Sequence, residues 1–90
     1  MTPNETYLNH PTFGLLFSLC VIEEDRALFT TLYAQRLFFL VSTAPEGLKF
    51  ESVSRNEARI VVENRLRALR RSGDLKIYNQ LQVIHQQTFQ

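Results

Sequence analysis

Residues 31–41 read TLYAQRLFFLV, and the way this stretch is buried decides the fold. A half-buried strand alternates apolar and polar side chains with a period of two. Here one row would hold Leu32, Ala34, Arg36, Phe38 and Leu40, and the other Tyr33, Gln35, Leu37, Phe39 and Val41. Both rows are mostly apolar, so the segment is either covered on two sides or leaves one apolar side for a partner. Arg36 breaks its row, which marks a bend or the start of a new strand. Phe38 and Leu40 form the natural inward row, leaving Tyr33, Leu37 and Phe39 as contact candidates.

Working outward, residues 12–53 read as strands and turns. GLLFSLCVI (14–22) is a continuous apolar run rich in Val, Ile and Phe, interrupted by the charged turn EEDRA (23–27). LFTTLYA (28–34) and QRLFFLV (35–41) follow as two short strands or as one strongly bent strand. STAPEG (42–47) places Pro45 and Gly47 at turn positions, and LKFESV (48–53) alternates with Leu48, Phe50 and Ser52 on one row. In NHPT (9–12), His10 and Pro11 would shape an entry turn into the first strand. Short strands with tight connections imply a curved sheet of four or five strands, closed or nearly closed into a barrel, which also removes exposed edges. The connections leave no room for crossover helices, so parallel α/β architectures are excluded.

The pattern changes at Ser54. SRNE (54–57) sets a serine three residues before a glutamate, the capping-box spacing. Ala58, Val61, Val62, Leu66 and Leu69 then recur at helical steps, while the arginines fall mostly elsewhere around the cylinder. Ser72 and Gly73 end that helix, and Asp74 can cap a second one whose stripe is Ile77, Leu81, Ile84 and Thr88, widened by Tyr78 and His85. The chain thus divides into a strand segment, 1–53, and a helical segment, 54–90, with helices at about 55–71 and 74–88. Two helices joined by so short a turn form an antiparallel hairpin. Ordering costs roughly 1.5 kcal/mol per residue, and each large apolar side chain buried returns about 1.5–3 kcal/mol, so the hairpin must lean on the sheet or on another protein. A weakly held second helix could detach or reorient on binding.

Ninety residues suffice for one core, and 44% apolar with 21% charged residues is the balance of a folded soluble chain. The N-terminal sequence lacks the pattern of a secretory signal, and no apolar run approaches a spanning helix, which points to an intracellular location. The net charge of +1 hides an asymmetry: residues 1–54 carry six acidic and three basic groups, residues 55–90 three and seven. Cys20, the only cysteine, has no internal disulfide partner and reads as a buried small hydrophobe. One cysteine and two distant histidines give no metal-ligand spacing, the adjacent acids 23–25 lack the opposed geometry of a catalytic pair, and three glycines build no phosphate-cradling loop. No cofactor is expected. The arginine-rich helix leaves two readings open: a nucleic-acid-binding face, or a protein-contact or merely solvated one. Tyr and Arg at the centre of the opening stretch are common interface anchors, which sets a protein interface level with simple packing of Tyr33, Leu37 and Phe39 under the helices.

YLNHPTFGLL (7–16), FTTLYAQRLFFLV (29–41), RNEAR (55–59), NRLRALRR (64–71) and YNQLQ (78–82) together resemble the PipX family of cyanobacterial PII-interacting proteins. The resemblance runs through essentially the whole chain in the same order. It implies an α+β fold: a small Tudor-like (SH3-like) antiparallel β-barrel followed by a two-helix hairpin. It further implies a non-enzymatic cytoplasmic co-activator in nitrogen regulation with no small-molecule ligand of its own and no membrane association. The trimeric PII protein would capture it at low 2-oxoglutarate, and the dimeric nitrogen-control transcription factor of the cAMP-receptor-protein class would take it at high 2-oxoglutarate. A GntR-class regulator would be reached through PII, and RNA polymerase at the promoter. Carried onto this sequence, the shared contact surface is Tyr33, with Gln35, Arg36, Leu37 and Phe39, bordered by Tyr7 and Asn9. Arg59, Arg67, Arg70 and Arg71 fall in matching blocks and would form a second interface. The alternative is an independent RNA- or DNA-binding module using the arginine-rich helix.

Overall fold

In the computed structural model, which describes residues 7–23, 25–31 and 37–89, five strands precede two helices. The strands are β1 (Tyr7–His10), β2 (Gly14–Glu23), β3 (Arg26–Thr31), β4 (Phe38–Ala44) and β5 (Gly47–Val53). They pair antiparallel in simple meander order, β1 to β5. The helices are α1 (Arg55–Ser72) and α2 (Leu75–Phe89). The whole is an α+β fold: a curled Tudor-like half-barrel carrying a helical hairpin.

The opening stretch contributes to two strands, not one bent one. β3 ends at Thr31, and the Thr31 amide donates to the Leu37 carbonyl at 3.2 Å just before β4 begins. β1 was not expected from the sequence. It ends at His10, so the turn at 11–13 links β1 to β2. Its Nδ1 accepts from the backbone amides of Thr12 (3.0 Å) and Phe13 (3.2 Å), and Gly14 leaves the turn with φ 76°.

Each face of the sheet has its own core, because alternate side chains of one strand point to opposite sides. Leu28, Phe38 and, across an irregular register in β2, both Leu19 and Cys20 pack with Ala58, Val62 and Leu69 of α1 and Leu81 of α2. Leu8, Leu16, Ala27, Phe29, Phe39 and Val41 form the second cluster, with Leu48 and Phe50 against it. His10 of β1 meets Phe50 of β5 edge-on at 4.9 Å, so the sheet curls around this second face. The outward placement of Phe39 is therefore corrected: it is 4% exposed and lines the inside of the curl. Phe38 and Leu40 do face inward, toward the helices.

Local chemistry fixes the hairpin. The Glu57 amide donates to Ser54 Oγ at 3.1 Å while the Ser54 amide donates to Glu57 Oε1 at 3.3 Å, completing the capping box. Gly73 takes the left-handed conformation (φ 80°) that closes α1, where any side chain would be strained. Asp74 Oδ1 then accepts from the Ile77 amide at 3.4 Å at the start of α2. The end of α2 returns to the sheet: Phe89 stacks on Phe38 at 5.5 Å, with the Arg55 guanidinium 5.7 Å above its ring. The hairpin thus leans on the sheet through the apolar stripes that the helical spacing marks out, except for Ile77 of α2, which is 45% exposed.

Candidate protein-interaction surface

Tyr33, Gln35 and Arg36 lie outside the described residues, in the connection between β3 and β4. The ends of that connection are defined. Leu37 is 40% exposed, and its carbonyl accepts from Thr31 N and from Thr30 Oγ1 (2.8 Å), which anchors it to β3.

Strand register brings the N-terminal candidates to the same end of the sheet. Leu8 pairs with Leu16 and Leu16 with Thr31, so β1 lies two strands from the point where the connection leaves β3. Tyr7 is 48% exposed, its ring 5.8 Å from Phe17, and Asn9 is exposed as well. By alternation Tyr7 and Asn9 point to the helix-covered face, and Leu8 and His10 to the inside of the curl. Phe39, by contrast, is buried inside the curl.

Phe13 is an aromatic residue that the sequence reading passed over. It is 47% exposed, with its ring centroid 5.0 Å from His10 and 5.6 Å from Phe39. His10 in turn stacks on Phe39 at 5.1 Å. The signal available was a phenylalanine immediately before Gly14 in a Pro-containing turn, a place where large apolar side chains have little to bury against.

Arg59, Arg67, Arg70 and Arg71 are all exposed on α1. At 100° per residue they fall within about 120° of arc, turned away from Ala58, Val62 and Leu69. Glu63 shares that arc, but its Oε2 engages His85 Nε2 of α2 at 3.1 Å, although Arg67 lies one turn on along the same helix. Arg67 instead donates to Asn64 Oδ1. The arginines therefore lie on one side of one helix, well separated in the sequence from the β3–β4 connection.

Among the described residues, the groups that could carry chemistry are not assembled. Burial pushes the Cys20 thiol from an ordinary 9.0 up to about 12, outweighing the opposing pull of the Arg65 charge. It lines a cleft of about 220 Å³ between β2 and the two helices, whose other walls are mainly aliphatic. Among the described residues no cluster of His, Cys, Asp and Glu could hold a metal ion, and no helix is long and apolar enough to cross a membrane.

A curled antiparallel half-barrel backed by a helical hairpin defines a Tudor-like fold. The family model for PipX, PII-interacting protein X, matches residues 4–89, and the chain belongs to that family. PII is thereby its family partner. Comparison with curated protein sequences gives no significant match.

Proposed function

We propose that the protein is a non-enzymatic cytoplasmic adaptor and transcriptional co-activator in nitrogen regulation, exchanged between two partners. The trimeric PII protein holds it when 2-oxoglutarate is low. The 2-oxoglutarate-bound nitrogen-control transcription factor, a dimer of the cAMP-receptor-protein class, receives it when 2-oxoglutarate is high. The observation that carries this reading is the family match over residues 4–89, nearly the full chain.

The residues proposed to make the shared contact are Tyr33, Gln35, Arg36 and Leu37, supported from below by Phe39 and bordered by Tyr7 and Asn9. Tyr33 offers a rigid ring with a hydroxyl, and Arg36 a fork for carboxylate or carbonyl oxygens. Half exposure of Leu37 and Tyr7 supports this assignment, because apolar side chains left in water at one end of a small domain are available for burial by a partner. One surface serving two partners makes the complexes mutually exclusive. PII would also bridge the protein to a GntR-class regulator. The Arg59, Arg67, Arg70 and Arg71 side of α1 stays available for a second contact, with RNA polymerase at the promoter.

The same arginines keep a second reading in view, independent binding of DNA or RNA. Two measurements separate the readings. Tyr33→Ala should leave the fold intact and weaken both partner complexes by about tenfold or more, as a central aromatic anchor does. The isolated protein should give no mobility shift of DNA or RNA at near-physiological salt. A strong, salt-dependent shift by the protein alone would replace the adaptor reading.

A further inference from the structure

Two half-buried arginines line one groove on the helix-covered face of the sheet. Arg26 opens β3 two residues before Leu28, so alternation sends its side chain to the face on which Leu28 and its cross-strand partner Leu40 pack against α1. Arg65 leaves α1 within about 100° of arc of Val61, Asn64 and Ala68, bordering the buried stripe of Ala58, Val62 and Leu69. Ile22, Leu40, Val61 and Ala68 form the apolar walls of the groove, which encloses about 330 Å³. Arg26, Asn64 and Arg65 supply its polar lining.

That polar lining donates hydrogen bonds and holds no acid. Among the described residues neither Arg26 nor Arg65 is paired with a carboxylate; the ion pairs formed are Lys49 with Glu46 and His85 with Glu63. Asn64 Oδ1 accepts from Arg67, which leaves the amide nitrogen of Asn64 to donate. Half-burial strips water from a guanidinium group, and setting two beside one groove adds like-charge repulsion. Without a counter-charge both effects oppose folding. By contrast Arg59, Arg67, Arg70 and Arg71 are exposed and keep their water. An anion in the groove offsets both costs, and guanidinium forks match the paired oxygens of a carboxylate.

We propose that this groove binds a small amphipathic anion, a carboxylate carrying a short apolar chain. Arg26 and Arg65 hold the carboxylate, Asn64 adds a neutral donor, and the chain lies along Ile22, Leu40 and Val61. The volume sits at the lower end of the range for small-molecule sites, about 300–1,000 Å³, which suits a short chain. The neighbouring cleft against β2 and α2 shares Arg65 but has no second arginine, so the anion favours the Arg26 side. The inference stands apart from the adaptor reading and goes beyond the family resemblance, which implies no small-molecule ligand.

The test titrates the isotope-labelled full-length chain with octanoate and follows backbone amide resonances. Saturable shifts should concentrate at Ile22, Arg26, Leu40, Val61 and Arg65. Octanol, which lacks the charge, and acetate, which lacks the chain, should each bind at least about tenfold more weakly. Arg26→Gln and Arg65→Gln should keep the folded spectrum and each weaken octanoate by about tenfold, the loss of one charge-assisted contact. A further variant, Ala68→Leu, narrows the groove with both arginines in place and should weaken binding as well. Arg71→Gln, outside the groove, should leave it within about twofold. Absence of saturable shifts, or shifts only where octanoate forms micelles, would overturn the proposal. Equal binding of octanol would reduce the groove to an apolar surface, and an equal loss in Arg71→Gln would reduce the effect to net charge; either result overturns it. Shifts centred on Leu19, Ile77 and Ile84 would place the ligand in the neighbouring cleft and overturn it too.

Discussion

The two faces of the sheet are buried about equally deeply but by different means. Phe29 on the inner face and Phe38 on the helix face are at most 1% exposed. The inner face is covered by the sheet's own curl, so its contacts come from strands that are also tied by backbone hydrogen bonds. The other face is covered by a hairpin joined to the sheet through one short connection after β5. A 90-residue chain thus gains two thin cores in place of one thick one, and only the first is closed by the strands alone.

The largest effects should come from breaking either core at its centre. Phe29→Ala and Phe38→Ala should each cost about 3–5 kcal/mol, enough to bring a small domain close to unfolding. Their patterns should differ. In hydrogen exchange Phe29→Ala should lower protection throughout the sheet. Leu81→Ala, about 2–4 kcal/mol, removes a helix-face contact made from α2 and should lower protection first in α2, with β3 and β4 opening later. Simultaneous loss in helix and sheet for Leu81→Ala would show that the two cores form one cooperative unit.

Smaller effects sharpen the same contrast. Ser54→Ala removes the capping oxygen at the hinge between sheet and hairpin and should cost ~1 kcal/mol by urea denaturation. Cys20 reports on the helix-covered face from within. Its thiol is raised to about 12, so the folded state keeps a proton that the unfolded state loses near the ordinary 9.0. Stability from this group is therefore undiminished below about pH 9 and falls as pH rises from 9 toward 12. In native conditions near pH 8 the thiol should react with a disulfide reagent far more slowly than in urea. Equal rates would mean that the hairpin does not cover it.

The helical half of the fold was legible because its signals are local. Ser54 and Glu57 lie three residues apart, and Gly73 and Asp74 mark a stop and a start that the backbone obeys. The direction of Phe39 was not legible, because a period of two carries no information when both rows are apolar. β1 escaped notice since only Leu8 of its four residues is buried. The Glu63–His85 pair joins residues 22 positions apart, which no spacing rule anticipates. Phe13 is the exposed aromatic that the sequence does not single out. Its placement depends on His10, Phe39 and Phe50 meeting on one side of a curled sheet, and that meeting is a property of the fold.

The central claim is that one messenger passes between two partners under the control of 2-oxoglutarate. The most direct measurement mixes this protein, trimeric PII with ADP, and the nitrogen-control transcription factor, and follows the distribution of the protein as 2-oxoglutarate is raised. The account predicts that PII strips the protein from the regulator at low 2-oxoglutarate and loses it to the regulator at high 2-oxoglutarate, with no ternary complex. Retention by PII at every effector level, or simultaneous binding to both partners, would contradict it.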